Sequence, residues 1–405
     1  MRASPSTARA INDRLALRLL QDEGPLTAAQ LKLLTGLSRP TVSDLVERLA
    51  ASGLIEVVGE TGARRRGPNA RLYGIAADRA QLAALDVRTE SVAVLVSDLV
   101  GRVLAEASVP IGGDTGTGPA VEQAVTLVER AAKEAGADRL HTVGIGVPGL
   151  IDPASGELRT SSGLPAWHRR LVAELQERLP RARLSVENET NLAALAERGE
   201  GAARDRDTFV LLWLGHGTGA AVVLDGRLRR GASGGTGEIG FLPVPGTSGL
   251  PSATDCEGGF HSLAGAAAII GLAGEYGIDA GAGAETDGAS AGAAVVGEAV
   301  RSVSDAGAST ASSAAAEGFL DALAERLALG AASVVAVLDP GCVVLGGEVG
   351  QAGGPELAGR VARRLRTMTP LPTEVRPSVL GGGAVLRGAL LTAREAAQET
   401  LFTTP

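Results

Sequence analysis

Val143-Gly144-Ile145-Gly146-Val147-Pro148-Gly149-Leu150-Ile151-Asp152 begins as a strand, Thr142–Val147, and runs into a Pro-Gly turn. Upstream, Leu82–Val87, Val92–Ser97 and Arg102–Ser108 read as three strands, with Ser97-Asp98 and Val100-Gly101 as turn residues between the last two. Val121, Val125, Val128 and Ala132 recur at helical spacing and mark a helix face before the quoted strand. Downstream come a helix carrying Leu171, Leu175 and Leu179 and then a strand, Arg183–Val186. Phe209–Leu214 and Ala220–Leu224 repeat the strand-turn-strand arrangement of the first part. Two β-rich starts, each followed by helices, imply a duplicated α/β body with a cleft between halves, where small ligands usually bind.

Ahead of this body, residues 8–22 carry Ile11, Leu15, Leu19 and Leu20 on one helix face, and Gly24-Pro25 ends that helix. Thr27 caps a short helix holding Leu31 and Leu34. Thr35-Gly36-Leu37 forms a turn, and Ser38 caps a third helix with Pro40 in its first turn. On that helix Val42, Leu45, Val46 and Leu49 face inward, and Gly53 closes it. Two short amphipathic helices joined by a three-residue turn containing Gly make a helix-turn-helix. Leu54–Val58 and Arg71–Ile75 read as a strand pair, with Gly62–Asn69 as a hairpin wing tipped by Arg64, Arg65 and Arg66.

This pattern suits DNA. The N-terminal part of a recognition helix meets base edges in the major groove, and the outward residues here are Ser38, Arg39, Thr41, Ser43 and Asp44, with Arg48 further along. Small hydroxyl residues permit close approach, Arg39 suits phosphate or guanine, and Asp44 could accept from cytosine N4. The wing arginines would neutralise phosphates, adding affinity with little sequence information. The competing reading is a protein-interaction module with a solvated basic loop.

The whole chain has 405 residues, room for two or three domains. Hydrophobic residues at 45% and charged residues at 21% exclude global disorder. Two cysteines, Cys256 and Cys342, cannot build a disulfide framework, no apolar run is long enough to span a bilayer, and Arg9, Asp13, Arg14 and Arg18 interrupt any signal-peptide core. The expected location is therefore the cytoplasm, with no membrane partner. The net charge of −8 splits into +4 over residues 1–75 and −12 over the remainder, so only the head is suited to a polyanion.

Several segments resemble the ROK family (repressors, open reading frames and kinases) in content and order. Leu33 to Ser43 resembles its repressor helix-turn-helix, and the opening stretch, Val143 to Asp152, resembles its central signature. Leu164-Pro165-Ala166-Trp167, Glu187-Asn188-Glu189-Thr190-Asn191, Gly231 to Gly240, and Asp339-Pro340 with Val343 to Gly347 resemble further signatures. The resemblance implies an actin-like, hexokinase-type α/β domain of two lobes over residues 77–405, behind a winged helix-turn-helix over 1–76.

The departures from that family are informative. Its kinases cradle ATP phosphates with Asp-x-Gly-Gly-Thr, where this chain has Asp86-Val87-Arg88-Thr89-Glu90. Both glycines are gone and Glu90 adds negative charge. The second phosphate turn reads Gly215-His216-Gly217, with His216 expected to be packed or solvated. Glu189 replaces the catalytic Asp, one methylene further out, and phosphoryl transfer depends on positioning. The family's zinc segment retains Cys256, with His261 nearby and Phe241 where the family has His, so no metal is expected. Cys342 is expected in the core. By resemblance, Gly149, Asn188, Glu189 and Glu238 would line a sugar site, with His261 in place of a sugar-binding Glu. Fold maintenance at the lobe junction is the competing role for Asn188 and Glu238. Tyr276-Gly277 to Gly292 reads as a flexible insertion.

The expectation is a DNA-binding transcription regulator with no cofactor, binding operator DNA as a homodimer or homotetramer and taking a sugar or phosphosugar effector in the cleft. The alternatives are a sugar kinase with an appended DNA-binding domain and an interaction protein whose head docks a partner.

Overall fold

A computed structural model describes residues 5–61, 70–159, 165–252, 256–278, 288–305 and 309–402. The head comprises α1 (Pro5–Asp22), β1 (Leu26–Thr27), α2 (Ala28–Thr35), α3 (Arg39–Ala51), β2 (Ile55–Thr61) and β3 (Ala70–Ile75). The caps fall where the sequence places them. Thr27 Oγ1 accepts the Gln30 amide at 3.2 Å while Gln30 Oε1 accepts the Thr27 amide at 2.9 Å, a reciprocal cap on α2. Gly36 takes φ 69°, the left-handed conformation that turns the chain between α2 and α3, and its amide donates to Lys32 O. Ser38 caps α3.

Val42, Leu45, Val46 and Leu49 are buried as expected, with Leu31. The face of α1 is different: Ala16, Leu17 and Leu20 are buried, whereas Ile11 is 58% and Leu15 39% exposed. Leu34 is also exposed. Period alone identifies a helix, but α2, α3 and β3 decide which flank of it is covered. β3 lies between β1 and β2, pairing antiparallel with both; β1, only two residues long, escapes sequence reading. The wing Gly62–Asn69, with Arg64, Arg65 and Arg66, lies outside the described residues.

A 3-10 turn, Ala77–Arg79, leads into the first lobe: β4 (Gln81–Val87), β5 (Ser91–Asp98), β6 (Val103–Pro110), α4 (Thr117–Glu134), β7 (Leu140–Val147), α5 (Trp167–Arg178), β8 (Arg183–Asn188) and α6 (Glu189–Glu200). The second lobe contains β9 (Phe209–Leu214), β10 (Thr218–Leu224), β11 (Arg227–Arg229), α7 (His261–Ala264), α8 (Ala266–Glu275), α9 (Gly288–Ser304), α10 (Thr310–Leu338), β12 (Cys342–Gly346), α11 (Gly347–Met368) and β13 (Glu374–Pro377), before α12 (Ala384–Leu401). The insertion reading is corrected at its end: Gly288 to Gly292 are the first turn of α9, and 279–287 lie outside the described residues.

The duplication is real. The first sheet has the order β6-β5-β4-β7-β8 and the second β11-β10-β9-β12-β13, each with antiparallel pairs followed by two parallel ones. One outer layer packs α4 and α5 on the first sheet, and another packs α8, α9, α10 and α11 on the second. Between the sheets lie α6 and α12, with Leu192, Val385 and Ala389 toward β4 and β5, and Ala193, Ala194 and Ala384 toward β9, β10 and β12. The head is seated on this body, since Leu17, Leu20 and Ile75 share a core with Leu82, Leu99 and Ala397.

Candidate functional site

Side chains suited to recognition gather in two places, the outer face of α3 and the cleft between lobes. On α3 the buried stripe leaves Ser38, Arg39, Thr41, Ser43 and Asp44 exposed. Ser38 Oγ lies 2.8 Å from Thr41 Oγ1, so this hydroxyl pair is ordered by the cap itself. Arg48 differs from the others. Its Nε and Nη2 donate to Asp13 on α1 at 3.0 and 2.5 Å, and its Nη1 donates to Asp44 Oδ2 at 2.6 Å. These carboxylates hold its guanidinium more firmly protonated. The second of these pairs also draws on the charge of Asp44.

In the cleft, β8 ends at Asn188 and α6 begins at Glu189. Asn188 Oδ1 accepts the Thr190 and Asn191 amides, capping α6, while its Nδ2 donates to Gly149 O and Glu189 Oε2, both at 3.0 Å. Asn188 therefore joins the turn after β7 to the start of α6, and Gly149 adopts φ 109° to present that carbonyl. Burial, with repulsion from Asp86, Glu238 and Glu348, pushes the Glu189 carboxyl up to about 8. Glu238 stands exposed at the cleft edge. His261, half-buried at the start of α7, is held below the ordinary histidine range by burial and by neighbouring His216. No hydrogen bond of His261 to Asn188 or Glu189 occurs among the described residues. The structure thus joins Gly149, Asn188 and Glu189 directly and brings Glu238 close. His216 is exposed and Cys342 buried at the head of β12. Among the described residues no three His, Cys, Asp or Glu side chains are grouped as metal ligands.

Sequence reading missed what Arg88 does. From the turn after β4 its Nε donates to Asp86 Oδ2 at 2.9 Å, and its Nη1 reaches Glu348 Oε1 on the second lobe, also at 2.9 Å. Its Nη2 lies 3.4 Å from Gly382 O, and His168 Nε2 lies 3.2 Å from the Arg88 carbonyl. Asp86 is only 3% exposed, and burial raises its carboxyl against the pull of Arg88. On the far side of the junction, Arg230 Nε donates to Glu187 Oε2 at 2.6 Å. Arg88 and Glu348 are 260 positions apart. The loss of glycine at Arg88 was a visible signal, but its partner had no local one.

Comparison with known proteins agrees with this architecture. The ROK family matches residues 82–396, and the MarR family matches residues 11–66 in the head. The xylose repressor of Caldicellulosiruptor bescii is 28% identical over 241 residues, 58% of this chain and 59% of that protein. The DNA-binding transcriptional dual regulator NagC of Escherichia coli K12 is 28% identical over 245 residues, 58% of this chain and 57% of that one. The match thus spans about three fifths of the length of these relatives. A ROK family transcriptional regulator described as a homologue of the Escherichia coli Mlc protein superposes with TM-score 0.74 at 22% identity, covering 98% of each chain. A ROK family glucokinase from Streptomyces griseus, in complex with glucose and AMPPNP, has TM-score 0.63 at 25% identity, covering 78% of this chain and 99% of that one. With the duplicated lobes, the paired sheets and a family match running from β4 into α12, this chain belongs to the ROK family.

Proposed function

We propose that this chain is a DNA-binding transcription regulator, a repressor, that binds operator DNA as a homodimer or homotetramer and takes a carbohydrate in the interlobe cleft. The observation that carries the reading is the division of α3: Val42, Leu45, Val46 and Leu49 are buried, and Ser38, Arg39, Thr41 and Ser43 stand in solvent at its N-terminal end. That is the end from which such helices reach base edges. The relatives named as repressors support it. A symmetric dimer would place two copies of α3 on half-sites one or more helical turns apart. In the cleft, Gly149, Asn188, Glu189 and Glu238 would meet sugar hydroxyls, with His261 at the rim.

Phosphoryl transfer is not part of this reading. It needs a backbone cradle for phosphate, and the turn Asp86–Glu90 instead carries Arg88 bonded to carboxylates. The kinase reading draws on the glucokinase likeness and on Glu189, whose raised pKa would suit a general base. ATP turnover with a panel of hexoses separates the two, and none is expected. The regulator reading is tested by selecting genomic fragments with the purified chain at near-physiological salt, first without ligand and then with sugars. Enrichment of a paired, two-fold-symmetric site is expected. No enriched site in either condition would overturn it.

A further inference from the structure

We propose that Arg88 is an internal tie that holds the two lobes together across the cleft and passes their relative position to the head. Its guanidinium is shared among three elements. Asp86, at the end of β4, accepts from Nε; Glu348, the second residue of α11, accepts from Nη1; Gly382 O, in the turn that starts α12, accepts from Nη2. The first lobe, the second lobe and α12 therefore meet at one side chain. Asp86 is buried, and a carboxylate out of water requires a counter-charge, so the first of these bonds fixes Arg88 in place. Glu348 is confined as well: a side chain at Gly215, in the turn between β9 and β10, would meet Glu348 Oε2 at 2.6 Å. Equivalent hairpins of the duplicated lobes thus face each other with the Arg88–Glu348 pair between them.

From Gly382 the path continues along α12, which is about 27 Å long at the helical rise per residue. α12 cannot slip on the first lobe. A Cβ on Gly388 would overlap Leu192 O, and one on Gly144 would overlap Ala389 O, so backbone packs on backbone on both sides. At its far end Ala397 is buried in the head core, and Gln398 Nε2 donates to Gln21 Oε1 on α1 at 2.7 Å. A ligand beside Asn188 and Glu189 would sit next to the tie, since the charges of Asp86 and Glu348 both reach Glu189. A two-state element biased from both ends is what coupling between distant sites requires.

The consequence for operator affinity rests on the regulator reading, whereas the tie itself does not, so hydrogen exchange on the free full-length chain tests it. In Arg88→Ala, amides in the first turn of α11, in residues 378–390 and in α1 are expected to exchange at least tenfold faster, with α4 and β6 unchanged. Glu348→Gln removes the distal acceptor charge alone and should raise exchange in the same segments by a smaller factor, and Arg88→Ala/Glu348→Gln should add nothing to Arg88→Ala. Faster exchange confined to residues 86–91 overturns the proposal. So does additivity of the two substitutions. If Arg88→Ala loses its fold, Glu348→Gln decides alone: exchange at wild-type rates in α1 and residues 378–390 overturns the tie.

Discussion

At the first turn of α6, the Glu189 carboxyl is pushed up to about 8 by burial, with Asp86, Glu238 and Glu348 adding repulsion. An acid whose folded pKa lies above its unfolded value holds its proton more tightly in the native state, so stability falls as pH rises from about 4.5 to about 8. Glu189→Gln does not titrate. Its melting temperature relative to wild type is therefore expected to rise steadily between pH 5 and pH 8 and level off above, measured by thermal denaturation. A difference that does not change with pH would mean Glu189 is ionised throughout. His168 acts with the opposite sign: burial pushes it down to about 4, so its contribution is lost as pH falls from about 6.5 through 4. On α3, Arg39 and Arg48 are expected to separate. Arg39→Ala should weaken site-specific DNA binding by about 1–3 kcal/mol. Arg48 is occupied by Asp13 and Asp44, so Arg48→Ala should weaken DNA binding less and lower head stability by up to about 1 kcal/mol. Fluorescence anisotropy and denaturant titration read the two effects.

Elements were legible where local chemistry wrote them. Thr27, Gly36, Ser38 and Pro40 fix the ends of α2 and α3 through caps that involve neighbours in sequence, and apolar stretches such as Leu82–Val87 and Phe209–Leu214 fix the strands. Whatever depends on distant partners was not legible. β1, β11 and β13 are two, three and four residues long and exist because a neighbouring strand accepts them. Leu15 and Leu17 are equally apolar, and only packing against the rest of the head decides that Leu17 is inside. In the cleft, Asn188 and Glu189 were readable from a motif, whereas Arg88 and Glu348 become neighbours only through the fold. The close approach of α12 to α6 gives a sharp prediction: Gly388→Ala would drive a Cβ into Leu192 O and should destabilise the body by more than about 2 kcal/mol in denaturant titration. For the wing, replacing Arg64, Arg65 and Arg66 together by Ala should weaken binding to all DNA. The salt slope should fall by about 1 for each phosphate these arginines no longer neutralise.

Across the whole molecule, charge and architecture point the same way. A head of +4 sits on a body of −12, so the head rather than the body is the part suited to a polyanion. The head shares a core with β4, the turn after β5 and the end of α12, so it is continuous with the first lobe. A change in the angle between lobes would therefore reorient the head relative to the second lobe and to any subunit bound through it. In a dimer that alters the spacing of two recognition helices, which half-site geometry punishes strongly. Control of α3 by the cleft is most directly tested by the affinity of the full-length chain for its selected DNA site. Anisotropy at fixed salt would read it with and without each of a panel of sugars that includes D-xylose and N-acetylglucosamine. The predicted result is site-specific binding that at least one sugar shifts tenfold or more and that Mg-ATP leaves unchanged. Equal affinity under every sugar, or no preference for the site over random DNA, would contradict a sugar-controlled operator reader.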